Sequence, residues 1–317
     1  MNLLITAPKF FEYEKFICQE FKKKGFSVTF IDDKIRLSFI FKALLRLNIF
    51  TTIIHSIVKK SYEKELDNIF FDNWLCINPE GINVEVAEVI SKKIKNKKVL
   101  YIWDSLSNKP NILNVISLFD KKLSFDKKDC ITHNLIHLPL YFTDHYKKIQ
   151  KKHKIDEIIT IGSIHSDRIK IIDSLLLNNL KLKYLLYVKN KILAFYFIVV
   201  GVLPIKYWKN INTKSFSHFD INKFYTKYKY VLDITHPTQN GLTNRTFEVL
   251  ASGCFLITTN ENIKSYEFYN NKTIFILSRD FSNIHLLKSW IKDNKNDYNN
   301  LDMTNYSLNS WVNNIFI

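Results

Sequence analysis

Residues 230–259 read Tyr230-Val-Leu-Asp-Ile-Thr-His-Pro-Thr-Gln-Asn-Gly-Leu-Thr-Asn-Arg-Thr-Phe-Glu-Val-Leu-Ala-Ser-Gly-Cys-Phe-Leu-Ile-Thr-Thr259. The first five residues are apolar but for Asp233 and include β-branched members, the pattern of a buried strand. A loop holding Pro237 and Gly241 ends it. Thr243–Ser252 then carries helical spacing, Gly253 closes the helix, and Phe255–Thr259 is a second strand. Two strands joined through a helix lie parallel, because a crossover of that length cannot serve an antiparallel hairpin. The stretch is therefore a βαβ unit and predicts a wound α/β fold.

The same grammar extends in both directions. Upstream, Glu157–Ile161 is a strand ending in Gly162-Ser163, with a helix from Ser166 or Asp167 and another strand over Tyr184–Val188. Downstream, Thr273–Leu277 is a strand, with helices over Asn283–Asp293 and Ser307–Asn314. The first half repeats the alternation: strands at Leu3–Thr6, Ser27–Ile31, Trp74–Ile77, Val99–Trp103 and Lys122–Phe125. Helices are expected over Tyr13–Lys24, closed by Gly25, from Ile35 onward, and over Val84–Lys95. The Lys-rich stretch Tyr146–Ile155 places the join near residue 150, giving domains 1–150 and 151–317, with the last helix free to cross back. Two such halves facing each other would hold a ligand in a cleft at the carboxyl ends of their strands.

Composition narrows the function classes. The chain has 317 residues and a net charge of +16, with 46% hydrophobic and 15% aromatic residues, enough for a core and too apolar for disorder. Cys18, Cys76, Cys130 and Cys254 form no CxxC pair, which excludes a zinc ribbon and a disulfide scaffold and fits a reducing, cytoplasmic compartment. The positive charge is almost all lysine; only Arg36, Arg46, Arg168, Arg245 and Arg279 are arginine. Base-reading proteins favour arginine, so a nucleic-acid partner is not expected. The N-terminus lacks the long apolar region of a signal peptide. Ile192–Ile205 is uncharged, yet as a helix it would reach only about 21 Å and carries Gly201 and Pro204, so a spanning helix is not expected. Ile35–Tyr62 and Lys181–Lys209 are basic, aromatic and amphipathic. Each reads either as a surface for anionic lipid or as a core helix with a lysine edge.

With six glycines and five arginines in all, their clustering marks the chemistry. Gly162, Ser163, Ser166 and Arg168 follow one strand; His236, Gly241, Leu242, Thr243, Arg245 and Glu248 follow another. Glycine permits close backbone approach, and the open N–H groups of a helix start suit a phosphate. Glu248 is placed to hold ribose hydroxyls, or else is a surface carboxylate paired with Arg245. In the first half, Asp104 and Glu80 end strands and are candidate catalytic bases, or else a helix cap and a turn residue.

Glu248-Val-Leu-Ala-Ser-Gly253 followed by a strand resembles the donor-binding motif of GT-B glycosyltransferases. The Gly241-Leu-Thr-Asn-Arg-Thr-Phe-Glu248 run and the Gly162–Arg168 stretch are similar to those of bacterial capsule and lipopolysaccharide-core transferases and CgeB-like spore proteins. Val249 departs from the alanine frequent in related enzymes. The resemblance implies two Rossmann-like domains, a nucleotide-sugar donor bound by the second half with Glu248 on its ribose, and a glycan or lipid-linked acceptor. No D-x-D triplet and no HExxH is present, so no metal or other cofactor is expected. His133 and His137 alone do not make a metal pair. The rival from another class is a non-catalytic binding or spore-surface protein on the same fold. The expected place is the cytoplasm, with peripheral attachment to the inner face of the membrane.

Overall fold

The computed structural model describes residues 1–33, 51–147, 154–164, 167–294, 296 and 298–316. The helical pattern expected from Ile35 lies outside the described residues as far as residue 50. The chain forms two units, Met1–Pro139 with Leu308–Ile317, and Leu140–Ser307. The division thus falls at Pro139–Leu140 rather than at residue 150. The physical reason is that the segment after Pro139 is bonded into the second unit. Phe142 donates its N–H to Tyr306, Asn244 donates to the Tyr141 carbonyl, and Ser252 donates to the Tyr146 carbonyl.

The first unit is a parallel sheet of β1 (Asn2–Ala7), β2 (Ser27–Asp32), β3 (Phe71–Ile77), β4 (Ile94–Ile102), β5 (Lys121–Ser124) and β6 (Ile136–His137). Their spatial order is β2-β1-β3-β4-β5-β6. Leu3, Leu4 and Ile5 of β1 and Trp74 through Ile77 of β3 are fully buried, as strands covered on both faces must be. Helices α1 (Tyr13–Lys23), α2 (Thr51–Glu65), α3 (Val84–Ser91) and α4 (Lys127–His133) supply the cover, together with the C-terminal helix Leu308–Ile315. That last helix buries Leu308, Trp311, Val312 and Ile315, and Trp311 meets the Tyr101 ring edge-on at 4.8 Å.

Local chemistry accounts for the ends of these elements. Asn83 caps α3 by accepting the Val86 N–H at 3.0 Å. The helix stops at Ser91, short of the Lys95 expected from its pattern, because Ile94 already pairs with Phe71 in the sheet. Helix α4 was not anticipated; Asp126 caps it by accepting the Lys128 N–H, and Asn134 ends it in the left-handed region at φ 51°. His133 lies in its last turn and His137 in β6. Among the described residues no group of three or more metal-ligating side chains forms.

The second unit contains β7 (Ile155–Ser163), β8 (Leu182–Tyr187), β9 (Ile211–Asn212), β10 (Tyr228–Asp233), β11 (Phe255–Thr258) and β12 (Ile274–Ile276). All pairings are parallel, in the order β12-β11-β10-β7-β8-β9. Helices α5 (Arg168–Leu177), α6 (Lys191–Val199), α7 (His218–Lys227), α8 (Asn244–Ala251) and α9 (Ile284–Asp293) connect them. The chain winds outward from β7 through β8 to β9, then returns to β10 on the other side of β7. β7 and β10 therefore flank a topological switch point, where the connecting loops leave in opposite directions and open a crevice beyond the strand ends. The first unit has its own switch between β1 and β3.

Candidate functional site at the carboxyl edge of the second sheet

Arg168 opens α5 and turns its side chain back over the switch point. Its guanidinium donates through Nη1 to the Ser163 carbonyl and through Nη2 to the Ile234 carbonyl, both at 2.8 Å. It therefore joins the carboxyl ends of the two strands that diverge there. The side chain is 5% exposed, and its Nε has no hydrogen-bond partner. Burial, followed by the neighbouring charge of Arg245, lowers its pKa to about 9.

This placement accounts for a glycine at position 162. A Cβ there would lie 1.8 Å from Arg168 Nη1 and 2.8 Å from its Cζ. The space beside Gly162 is taken by the guanidinium. Ser163 is exposed and takes part through its carbonyl, while Ser166 lies outside the described residues.

Asp233, at the end of β10, organises the next layer. It is 2% exposed and accepts hydrogen bonds from the Thr243 and Thr246 hydroxyls, each at 3.2 Å, with Arg245 Nη1 at 3.8 Å. Thr243 occupies the N-cap position of α8, yet its hydroxyl is turned to Asp233 and makes no cap bond. The first turn of α8 thus lacks a bond from its N-cap side chain, the Thr246 N–H turns to the Thr243 carbonyl at 3.1 Å, and the positive end of the helix dipole lies at the strand edge.

A third arginine, Arg279, was not singled out from the sequence. It follows β12, pairs through Nη1 with Asp167 at the start of α5, and donates to the Thr235 carbonyl at 2.7 Å and the Thr259 hydroxyl at 3.1 Å. Arg168, Arg245 and Arg279 thus converge on the ends of β7, β10 and β11. The loop between β10 and α8 is held by Asn260, whose Nδ2 donates to the carbonyls of Asn240 and Gly241, and by Asn262 on Asn240. Leu242 is 1% exposed and anchors the loop in the core. His236 is exposed, and its Nδ1 meets the Thr238 hydroxyl at 2.8 Å.

Glu248 is not a surface carboxylate: it is 3% exposed. Its Oε1 lies 3.8 Å from His218 Nδ1, and that nitrogen shares a 2.7 Å hydrogen bond with the Tyr146 hydroxyl. Burial and then the Glu248 charge push the Tyr146 phenol far above its ordinary range. Tyr146 and His218 were invisible as partners in the sequence, because they come from a loop and a helix that lie 102 and 30 residues upstream of Glu248 (248 − 146 and 248 − 218).

In the first unit the two candidate bases each have a local partner. Glu80 is exposed and pairs with Lys109 at 2.9 Å. Asp104 accepts the Ser105 N–H and the Asn108 amide within its own turn. A further carboxylate, Asp33, lies just past β2 and is 1% exposed. It accepts the backbone N–H groups of Glu80 at 2.6 Å and Gly81 at 3.0 Å, and burial raises its pKa to about 7. A raised carboxyl pKa stabilises the folded state fully below the unfolded value near 4, and this contribution is lost as pH rises toward 7. Asp33→Asn is therefore expected to flatten the decline in stability between pH 4 and pH 7, measured by urea denaturation at stepped pH. An unchanged profile would remove Asp33 as its source.

Two doubly wound parallel units, the second with a cationic switch point, define the GT-B class of α/β folds. Within the second unit, residues 183–296 match a family model described as glycosyl transferase-like. The solved structures agree on the fold. A glycosyltransferase from Rickettsia africae ESF-5 is 11% identical with a TM-score of 0.59, over 99% of this chain and 94% of its own. A UDP-GlcNAc 2-epimerase from Methanocaldococcus jannaschii, in complex with UDP-GlcNAc and UDP, is 12% identical with a TM-score of 0.57, over 98% and 97%. The catalytic domain of starch synthase IV from Arabidopsis thaliana, bound to ADP and acarbose, is 9% identical with a TM-score of 0.54, over 99% and 95%. No curated protein sequence matches the chain.

Proposed function

We propose that the chain transfers a sugar from a nucleoside-diphosphate donor to a hydroxyl of a glycan or lipid-linked acceptor, in bacterial surface polysaccharide synthesis of the capsule or lipopolysaccharide kind. One observation carries the reading: Arg168, Arg245 and Arg279 gather at the strand ends of the switch point, with Arg245 in the first turn of α8, within a unit whose residues 183–296 match a glycosyl transferase-like model. Cationic groups and helix N–H groups fixed beforehand stabilise negative charge as it develops, and here the charge would be that of the departing diphosphate. That electrostatic help comes from protein groups alone and needs no metal. Glu248 sits about one turn, roughly 6 Å, into the same helix, and would take the ribose of a diphosphate bound at its first turn. Support for a nucleotide ligand also comes from the structural neighbours solved with UDP and ADP. The acceptor base would come from the first unit, with Asp33 joining Asp104 and Glu80 as candidates.

The test is a thermal-shift screen across UDP-, GDP-, ADP-, CMP- and TDP-sugars, followed by product analysis. A ligand bound only by the native state stabilises it by about 2.7 kcal/mol at a hundredfold excess over Kd. One base is expected to raise the melting temperature. Arg245→Ala and Arg279→Ala are each expected to weaken nucleoside-diphosphate binding about tenfold or more. No shift with any donor would leave the non-catalytic rival. An altered sugar on intact nucleotide would indicate epimerisation instead of transfer.

A further inference from the structure

We infer that α6 and the segment after it form a docking surface for an anionic lipid bilayer. Helix α6 is apolar all round, but only half of it is covered. Ala194 is fully buried, and Leu193, Phe197 and Ile198 pack against the second unit's core. The opposite face exposes Ile192 (82%), Phe195 (62%), Tyr196 and Val199 (67%), at the three- and four-residue spacing of one helical stripe. The following turn adds Val200, Val202, Ile205 (77%) and Trp208. A contiguous apolar stretch of this kind is uncommon on a face that meets only water, and it marks an interaction site.

The charge pattern selects the occupant. From residue 174 to residue 219 the chain contains seven lysines and no aspartate or glutamate. Lys189, Lys191 and Lys209 flank the apolar stripe and are exposed. Lys206 is paired with Asp173 at 2.5 Å and is not counted among them. Lysines beside an exposed aliphatic and aromatic face match an interfacial helix, which sinks its apolar side into the acyl boundary while its cations meet anionic headgroups. Tyr196 and Trp208 suit that depth, with an apolar body and a polar tip. A second copy of the chain fits poorly. A two-fold interface sets the same patch against itself and would oppose lysine to lysine with no acid between. Among the described residues no helix is long and apolar enough to cross a membrane, so the contact is one of lying on the surface. The inference stands apart from the donor site.

The experiment is flotation of the full chain with two kinds of vesicle: phosphatidylcholine alone, and phosphatidylcholine with phosphatidylglycerol in equal parts. Binding is expected only to the second, and is expected to weaken as salt rises. The combined variant Ile192→Ser, Phe195→Ser, Val199→Ser removes exposed side chains, keeps the fold, and is expected to bind about tenfold more weakly or worse. Lys189→Glu, Lys191→Glu and Lys209→Glu together are expected to abolish the preference for the anionic vesicles. Retained melting temperature and nucleotide binding check that both variants are folded. Failure to bind either vesicle overturns the inference. So does anionic-vesicle binding that the serine variant leaves intact, and so does a concentration-dependent dimer that the serine variant dissolves without any lipid contact.

Discussion

Gly162→Ala is expected to destabilise the chain by about 3 kcal/mol, because the added Cβ must expel a buried guanidinium. The Cβ position lies 1.8 Å from Arg168 Nη1, a distance no side-chain adjustment of a few tenths of an ångström relieves. Arginine is flexible in water, yet here it is 5% exposed and fixed by two carbonyls, so moving it breaks both hydrogen bonds and strands a cation. At roughly 2–4 °C per kcal/mol for a domain of this size, the melting temperature should fall about 6–12 °C. Gly162 has no left-handed backbone requirement, so the whole effect is steric. A double-mutant cycle isolates it. Arg168→Met alone should cost about 1–3 kcal/mol, by leaving the Ser163 and Ile234 carbonyls without their donor. Once Arg168 is gone, Gly162→Ala should add little, giving a coupling of about 3 kcal/mol in denaturant titrations. Additive costs would show that Gly162 does something other than house Arg168.

That pair also shows what a sequence can and cannot disclose about such a site. Gly162 and Arg168 were both legible as special, since each belongs to a residue type the chain otherwise avoids. Their relation was not legible: a helix-start arginine points outward by default, and only the return of β10 beside β7 supplies the Ile234 carbonyl that draws it inward. Arg279 escaped for the same reason. It lies in no motif, and its partners Asp167, Thr235 and Thr259 come from three different strand ends. Asp33 also follows a strand, but nothing local separates it from the more exposed Asp32 beside it until burial is known. Ten of the twelve strands were readable as short apolar runs, but the two-residue edge strands β6 and β9 were not, because two residues carry no periodicity and neither is fully buried. Misreadings came at the edges of elements, as where the pairing of Ile94 with Phe71 cuts α3 short, and in polar helices such as α7, whose Ser217 cap carries little apolar periodicity after it.

Glu248→Gln is expected to weaken binding of the cognate nucleoside diphosphate about 10- to 100-fold, the worth of hydrogen bonds to a charged acceptor. The substitution preserves shape, so the buried setting beside His218 and Tyr146 stays filled. It removes the negative charge that a pair of ribose hydroxyls would use as acceptor. The difficulty is that a residue 3% exposed and in contact with a histidine also has a structural occupation. Inorganic pyrophosphate separates the two. It carries the diphosphate charge that Arg245, Arg279 and the first turn of α8 would bind, and it has no ribose. If Glu248 holds the ribose, calorimetry should show nucleotide affinity falling while pyrophosphate affinity stays the same. If Glu248 instead positions α8 through His218, both affinities should fall together, and His218→Ala should reproduce the loss. Unchanged affinity for both ligands would remove Glu248 from the donor site and leave the arginines alone to define it.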